Sequence, residues 1–435
     1  MKVLIVSSSA WRQDCSFGNT FSNWFSGMQD VEIANIYLDS KNPDKTDYVT
    51  DFFQIPEKKV AKSIFKRKTK TWKRFTNVDI VDDDQPQEQT NALIPFAKRK
   101  RWTIFFILRK LIWSLGRWKT KELFQFVEDF RPDIIFQPIY HRSPANKIAL
   151  KIQKKFDIPM VGFIGDDVYT LKQLSFSPLF WIDRLINRRG VKKSVKHCDI
   201  LYVASDLQKR EYEKIFKLPI NVLMKFGDFE GEPNVSDLIN EPVKFVYTGN
   251  IDSGRYESLS LLVKSFQQLG GSELDIYSKT ELSAKQIDSL NVEGVSHFWG
   301  GISYQRVCEV QKEADVLVFV ESMKLKGKLA VRQSFSTKIV DYFAVPRCIL
   351  AIGPSDIAPI EYLKENNVAV VCSDYSKMTE QIKEILENKE KIYFYAKNAW
   401  ELGKKRHNKK DAQKKLRDDL IKVINTKRLK TMVEN

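Results

Sequence analysis

Ser336, Thr337 and Lys338 combine two hydroxyls with a cation at the start of a helix that the sequence predicts in its second half. Unpaired backbone N–H groups and the helix dipole at such a position favour phosphate. Asp341 follows about one turn later, where its carboxylate can accept hydrogen bonds from the hydroxyls of a ribose. Arg255 has a planar guanidinium that can bind two phosphate oxygens at once. Together these residue types predict a site for a nucleotide diphosphate.

Each of these residues also has a simpler interpretation. Ser and Thr are common N-caps, so residues 336–337 could merely begin a helix. Asp341 alone could be a solvated acid on a helix surface. The position of the segment between two apolar stretches, 315–322 and 348–353, favours the binding interpretation. The other residues assigned to this site are Gly249, Asn250, Phe298, Glu321 and Ser322, with Phe298 expected either to line a slot for the base or to belong to the core.

The elements that position this site are strands alternating with helices, which indicates parallel α/β layers. The strands are apolar nearly throughout, as in parallel sheets covered on both faces. Since 435 residues exceed what one core usually serves, we expect two domains. The predicted units are a Rossmann-like domain over 1–226, a linker over 227–241, a second Rossmann-like domain over 242–403 and a basic helix over 404–435 that returns toward the first domain. The predicted strands are 2–9, 31–38, 133–140, 161–167 and 199–205 in the first domain, and 243–250, 274–279, 295–300, 315–322, 348–353 and 368–373 in the second.

Two segments of the second domain carry a resemblance to a known family: ADVLVFVES at 314–322 and STKIVDYFAVPRCILA at 336–351. They resemble the donor-binding segments of GT-B glycosyltransferases, in particular the retaining, family 4-like, group 1 type. Asp341 stands where that family usually has a Glu. Asn250 and Arg255 stand where many members have an Arg and a Lys. The resemblance implies an α/β fold of two Rossmann-like domains whose parallel sheets face a cleft.

The resemblance also implies an activity. It is the transfer of a sugar, typically a hexose, from a nucleotide-sugar donor to a glycan or lipid-linked acceptor in cell-surface polysaccharide synthesis, with retention of configuration. The family generally needs neither a metal ion nor another cofactor, and the sequence has no DxD pair on a loop and no His-rich cluster. The only dense acidic run, 82–84, is more simply a charge-balanced turn.

The loops that follow the strands of the first domain open into the cleft, which places them on the acceptor side. Asp166 and Asp167 follow one such strand. A carboxylate there could hold the acceptor hydroxyl or act as a base, so we assign both as catalytic candidates. A turn or N-cap role is the alternative, and family members often carry His near this place. The acceptor-binding candidates are Gly18, Asn19, His141 and Arg142.

The net charge of +16 is concentrated in a few stretches. Residues 58–75 hold nine basic residues and no acidic one, and residues 98–121 hold the same numbers. A helix predicted over 96–130 interleaves aromatic and basic side chains, which is typical of an interfacial helix on an anionic membrane. A solvated cationic face is the alternative. The residues expected to contact the membrane are Trp102, Arg109, Lys110, Trp113, Arg117, Trp118 and Lys119.

The cellular location follows from three sequence features. No apolar run approaches the ~20 residues that cross a bilayer. The N-terminus lacks the pattern of a signal peptide, and five isolated cysteines suit a reducing compartment. We therefore expect a cytoplasmic protein held peripherally on the inner face of the cell membrane.

Two rival functions share some of these features. A nucleic-acid-binding protein would explain the basic charge, but the sequence contains no recognition motif, so no nucleic-acid partner is expected. A nucleotide-sugar epimerase, or a non-catalytic binding protein, could have the same fold. An epimerase acts on the free nucleotide sugar and would not need a membrane-facing surface.

Overall fold

The computed structural model describes residues 1–80, 103–231, 233 and 239–434. Its strands form two sheets that lie on either side of the predicted linker in sequence. The strands of the first sheet are β1 (Lys2–Ser7), β2 (Glu32–Tyr37), β3 (Val49–Gln54), β4 (Lys73–Thr76), β5 (Ile134–Pro138), β6 (Met160–Ile164), β7 (Ile200–Val203) and β8 (Ile220–Val222). Those of the second are β9 (Val243–Thr248), β10 (Ser272–Tyr277), β11 (Ser296–Gly300), β12 (Val316–Val320), β13 (Cys348–Ile352) and β14 (Val370–Cys372).

The strand orders are β4-β3-β2-β1-β5-β6-β7-β8 and β11-β10-β9-β12-β13-β14. All neighbouring strands are parallel except β3 and β4, which are antiparallel. In each sheet the order reverses beside the first strand of the domain, β1 or β9. Such a reversal opens a crevice beyond the carboxyl ends of the strands, where ligands of open α/β sheets bind.

Helices cover both faces of each sheet, and their apolar sides form two core clusters per sheet. In the first part of the chain they are α1 (Ser16–Phe25), α2 (Glu57–Phe65), α3 (Thr103–Leu115), α4 (Lys121–Phe130), α5 (Ala145–Phe156), α6 (Pro178–Val195) and α7 (Asp206–Glu213). The later ones are α8 (Arg255–Leu269), α9 (Ala284–Leu290), α10 (Tyr304–Glu313), α11 (Leu325–Val331), α12 (Lys338–Ala344), α13 (Ala358–Glu365), α14 (Met378–Glu387), α15 (Lys389–Arg406) and α16 (Lys409–Glu434).

Strands β3 and β4 lie in a charged region for which the sequence predicted no strand. Phe52 and Phe53 of β3 are buried on opposite faces of the sheet. Phe75 is the one buried residue of β4, and its ring stacks on Phe52 at 5.3 Å. Strand β4 has four residues, with two cations before its single buried phenylalanine. Edge strands are usually short and charged in this way.

The single helix predicted over 96–130 is wrong, because the described part of this segment forms two helices. Gly116 ends α3 against α2, where a Cβ atom would lie 2.5 Å from Val60 Cγ1. Thr120 then caps α4, since its side chain accepts a hydrogen bond from Leu123 N at 3.2 Å. Residues 96–102, with Trp102, and the acidic run 82–84 lie outside the described residues.

Helix α16 crosses back to the first sheet. Leu416 and Leu420 are buried in the same cluster as β1 and α1. Gln413 Nε2 donates to the carbonyl oxygens of Trp24 and Ser26 at 3.0 and 2.9 Å. Within the described residues, none of the helices has the length and apolar character needed to span a bilayer.

Candidate functional site

A cleft lies where the carboxyl ends of the two sheets face each other. Ser205, just beyond β7, donates its hydroxyl hydrogen to the carbonyl of Gln333 at 2.8 Å. Ser334 Oγ donates to Asp166 Oδ1, just beyond β6, at 2.7 Å. These bonds join loops of the first sheet to the segment between α11 and α12 of the second. The predicted donor-site and catalytic residues therefore border one cleft.

Lys338 occupies the floor of the cleft beside the end of β9. Its Nζ donates to the carbonyl of Thr248 at 3.0 Å and lies 5.2 Å from the centre of the Tyr247 ring. A Cβ atom on Gly249 would lie 1.9 Å from this nitrogen and would displace it, and the φ of +148° is one that other residues rarely adopt. Burial, reinforced by the charge of Arg255, lowers the pKa of Lys338 to about 8.

The charge of Lys338 has no direct counterion among the residues that the structure describes, since no carboxylate lies within ion-pair distance of its Nζ. Thr248 supplies only a neutral carbonyl. A partly desolvated ammonium without an anion is unfavourable, and a phosphate oxygen would relieve it. The arrangement is therefore suited to an anionic ligand.

Arg255 begins α8 close to Lys338, but it is paired with a buried carboxylate. Its Nε and Nη2 donate to Glu321 Oε2 at 3.0 and 2.7 Å, and Nε also contacts the carbonyl of Val320. Only Nη1 makes no hydrogen bond to the described residues. The expectation that Arg255 and Glu321 contact the ligand separately therefore changes: Glu321 orients Arg255, which has one free edge.

Ser322 is 2% exposed and fixes the end of β12 against its neighbours. Its Oγ accepts a hydrogen bond from Lys324 N at 3.2 Å. A Cβ atom on Gly254 would lie 2.4 Å from this oxygen, and the φ of Gly254 is +90°. Ser322 thus shapes the loop that carries Arg255, and its hydroxyl is enclosed by protein.

Asp341 lies on α12 and is held by a residue that the sequence interpretation missed. Lys225 Nζ, which follows β8, donates to Asp341 Oδ1 at 2.5 Å. Burial raises the pKa of Asp341, and the charge of Lys225 opposes this effect. One sequence signal points to Lys225, because it is the only charged residue in the mostly apolar stretch 218–226. Its ion pair joins the first part of the chain to the second across the cleft.

Of the remaining donor-side residues, two have backbone N–H groups without partners in the part of the chain that the structure describes, and two contact other parts of the protein. Ser336 and Thr337 precede α12, and their N–H groups donate to no acceptor among the described residues. Asn250 Oδ1 instead accepts from Asp252 N at 2.6 Å, which organises the turn after β9. Phe298 packs against the core of the second sheet. Its ring thus takes part in the core, the second of the two roles expected for it.

Asp167 is buried and fully engaged, unlike Asp166. Arg184 Nη2 contacts Asp167 Oδ1 at 3.0 Å, and the same oxygen accepts from the N–H groups of Tyr169 and Thr170 at 3.1 and 2.8 Å. These bonds shape the loop after β6, so the geometry favours a structural role for Asp167. Asp166 is exposed to the cleft and can meet a substrate.

His141 and Arg142 follow β5. Burial, with the charges of Arg184 and Arg142, lowers the pKa of His141 to about 4, so the imidazole is neutral near pH 7. Its Nδ1 is buried without a hydrogen-bond partner among the described residues. Arg142 Nε donates to Asp183 at 2.6 Å and is thereby tied to α6. Each of the two thus keeps polar atoms without a hydrogen-bond partner among the described residues, namely Nδ1 of His141 and the two Nη atoms of Arg142.

Gly18 and Asn19 lie in the first turn of α1. A Cβ atom on Gly18 would lie 2.0 Å from the carbonyl oxygen of Arg12, so glycine lets the loop after β1 pack on the helix. Asn19 is exposed. Gly18 thus serves the loop geometry, whereas Asn19 is accessible to a ligand.

Two of the three tryptophans expected on the membrane, Trp113 and Trp118, are interior residues, which corrects that assignment for them. Trp113 and Trp118 are 2% and 5% exposed, and Trp118 Nε1 donates to the Trp113 carbonyl at 2.9 Å. Arg109 and Lys110 pair with Glu57 and Asp183 at 2.6 and 2.8 Å. The first domain uses these side chains in its own packing because α3 lies between α2 and α6. Of the other cations assigned there, Arg117 donates to the carbonyl of Arg67, and Lys119 lies 5.3 Å from the Trp118 ring centre.

Comparison with known proteins identifies the architecture. No protein-family model and no curated protein matches the sequence. Solved structures do match. A sucrose-phosphate synthase from Thermosynechococcus elongatus has a TM-score of 0.62 and 11% identity, over 98% of this chain and 99% of that one. HepE of Anabaena in complex with UDP gives 0.62 and 11%, over 97% and 100%. The pneumococcal O-GlcNAc transferase GtfA, with UDP and GlcNAc, gives 0.51 and 8%, over 69% and 60%.

These similarities span nearly the whole chain in the first two cases, and at such identities they establish the fold. The chain has the GT-B architecture of these glycosyltransferases, with two Rossmann-like units and parallel sheets facing a cleft, as the sequence predicted.

Proposed function

We propose that this protein transfers a sugar from a nucleotide-sugar donor to a glycan or lipid-linked acceptor, in cell-surface polysaccharide synthesis. The observation that carries the proposal is Lys338, a cation enclosed at the end of β9 with no carboxylate in contact among the described residues. Uridine diphosphate sugars are the first donors to test, because solved structures of this fold hold UDP and UDP-glucose.

The proposed donor site uses two charges near the carboxyl end of β9. Lys338 neutralises the diphosphate, assisted by the free edge of Arg255. The N–H groups of Ser336 and Thr337 lie beside Lys338 and can donate to phosphate oxygens. Because phosphate accepts several charge-assisted hydrogen bonds, it satisfies donors that the protein leaves open.

The proposed ribose contact is Asp341. Lys225 occupies its Oδ1 at 2.5 Å, which leaves Oδ2 to accept from ribose hydroxyls. Lys225 follows β8 of the first sheet, so the same ion pair also links the first part of the chain to α12. A nucleotide bound at Asp341 would thus couple donor binding to the relative position of the two sheets.

On the acceptor side, we propose that Asp166 contacts the acceptor hydroxyl or the reacting sugar. Its Oδ1 receives a hydrogen bond from Ser334, which directs the carboxylate across the cleft. His141 offers a neutral imidazole with an unpaired Nδ1 as a second polar contact. Neither needs a metal ion or another cofactor for these roles. The proposed reaction proceeds with retention of configuration.

The epimerase hypothesis predicts the same donor site but a different outcome, because an epimerase returns the sugar still joined to the nucleotide. Nucleic-acid binding would use the exposed cations of the first domain and would leave the enclosed Lys338 and Lys225 without a role. We propose that the protein works at the cytoplasmic face of the cell membrane, where its cationic first domain meets anionic lipid.

A thermal-stability panel tests the donor site. Nucleoside diphosphates and nucleotide sugars should raise the unfolding temperature of the parent protein, as any ligand of the native state does. Lys338→Ala should lose this response and Asp341→Asn should reduce it, while the exposed α9 variants Lys285→Ala and Asp288→Asn should keep it in full. Equal stabilisation of all four variants would remove the assignment, and so would a parent that responds to no nucleotide.

A further inference from the structure

The first half of helix α6 has its polar side inward, whereas the second half buries Val191 and Val195. Asp183, Arg184 and Asn187 are buried, and they bond to Arg142, to the loop after β6 and to each other. The outward side of the same helix carries large apolar residues that are about half exposed, namely Leu179, Ile182, Leu185 and Ile186. Surface helices of globular proteins normally show the opposite pattern. The inversion therefore points to an environment that accepts apolar side chains.

The exposed apolar surface continues onto neighbouring elements. Lys110 of α3 pairs with Asp183 of α6, so the two helices lie side by side. The outward residues of α3 are Leu108, Leu111 and Leu115, which are 48%, 52% and 68% exposed. Before α6, Phe176 is 95% exposed. Contiguous apolar surface of this extent usually marks an interaction site.

Cations border this surface on both sides. The carboxyl-terminal half of α6 and the residue after it expose Arg189, Lys192, Lys193 and Lys196 along the outward side. On the other side, α2 packs beside α3 through the Arg109–Glu57 pair and exposes Lys58, Lys59, Lys62 and the 89%-exposed Phe65. The one acidic residue of α6, Asp183, is buried. The α2–α3–α6 face thus has an apolar centre and a cationic rim.

We infer that the α2–α3–α6 face inserts into the headgroup region of an anionic lipid bilayer. A second copy of the chain would bring its own cationic rim against this one, which opposes self-association, whereas acidic lipid headgroups complement the rim. Apolar side chains at the centre enter the acyl boundary, as in interfacial helices. This inference gives the membrane location proposed above a specific surface, carried by leucines and isoleucines rather than by Trp113 and Trp118.

Vesicle binding tests the inference without any sugar donor, so its failure and the failure of sugar transfer are separate results. The full chain is mixed with vesicles of phosphatidylglycerol and phosphatidylcholine, or of phosphatidylcholine alone, and bound protein is measured by flotation. The parent should bind the anionic vesicles, and added salt should weaken this binding. A triple variant, Leu111→Gln with Leu179→Gln and Ile182→Gln, should bind at least tenfold more weakly.

Matched variants separate the contributions. Replacing Leu325 and Phe394, exposed apolar residues of the second sheet's helices, by Gln should leave binding unchanged. Arg189→Gln with Lys192→Gln and Lys193→Gln should weaken binding and reduce its dependence on salt. Vesicle binding by the apolar triple variant at the level of the parent would overturn the inference. So would a parent that does not bind vesicles and forms a lipid-free dimer, detected by sedimentation velocity, that the triple variant dissociates. So would a triple variant that binds vesicles normally but has a lowered unfolding temperature, because the chain itself would then cover this face.

Discussion

Replacing Lys338 by Met should make the ligand-free protein more stable while abolishing donor binding. The pKa of Lys338 is about 8 against an ordinary 10.5, so folding places its charge in an unfavourable environment. At about 1.4 kcal/mol per unit, this penalty is roughly 3 kcal/mol. Met removes the charge but keeps the length, and it forfeits the hydrogen bond to Thr248 and the contact with the Tyr247 ring, about 1 kcal/mol each. A net gain of about 1 kcal/mol remains.

The gain should depend on pH with a definite sign. Between pH 8 and 10.5 the unfolded chain holds the Lys338 proton more tightly than the folded chain does, so stability of the parent rises with pH in this window. Below pH 8 the penalty is fully present. The advantage of Lys338→Met should therefore be largest near pH 7, should vanish about one pH unit above pH 8, and should reverse in sign before pH 10.5.

Urea unfolding at pH 7 and pH 10 measures this difference, and calorimetry with the stabilising nucleotide measures binding. Lys285→Met on α9, an exposed position, is the matched control and should change neither quantity. A Lys338→Met variant that is less stable than the parent at pH 7 would refute the reasoning, because the ammonium would then be satisfied by the protein alone.

Asp341→Asn should weaken binding of the stabilising nucleotide tenfold to a hundredfold in calorimetry, because a charge-assisted hydrogen bond is worth ~1.5–3 kcal/mol. Asp167→Asn should lower the free energy of unfolding by about 3 kcal/mol, because it leaves Arg184 buried without its anion. Asp166→Asn should retain parental stability and lose turnover. Urea titration together with a sugar-transfer assay distinguishes the two variants. Burial raises the pKa of Glu211, but hydrogen bonds from Arg332 and other groups outweigh this effect and hold the pKa at about 2. The stability that the ionised carboxylate contributes should therefore be lost as the pH falls from 4.5 toward 2. Glu211→Gln should flatten this part of the unfolding profile and lower the free energy of unfolding by about 2 kcal/mol at pH 7.

In both sheets, the strands that are buried on both faces could be predicted from sequence, because an uninterrupted run of apolar residues is typical of a strand in a covered parallel sheet. Strands β3, β4 and β8 could not. Phe75 is a single apolar anchor inside a run of cations, and its partner Phe52 lies 23 positions away in sequence. Pairing across such a distance leaves no local pattern.

The candidate site shows the same division. The positions of Lys338 and Asp341 at a helix start followed from residue order, but their partners did not. Glu321 holds Arg255 because β9 and β12 are neighbours in one sheet, and Lys225 reaches Asp341 from 116 residues away because the two sheets face each other. Helix α3 was misjudged for a related reason. Its aromatic and basic residues look interfacial in sequence, yet Trp113 packs inward because α2 and α6 flank it.

The fate of the bond between sugar and diphosphate tests the central claim most directly. The parent protein is incubated with the nucleotide sugars that stabilise it, together with a membrane extract as the source of acceptors, and anion-exchange chromatography with mass spectrometry follows the nucleotide. Sugar transfer predicts release of the nucleoside diphosphate in step with a glycosylated product, and loss of both with Lys338→Ala. Recovery of the donor as an isomeric sugar still joined to the nucleotide would contradict the account and establish the epimerase alternative.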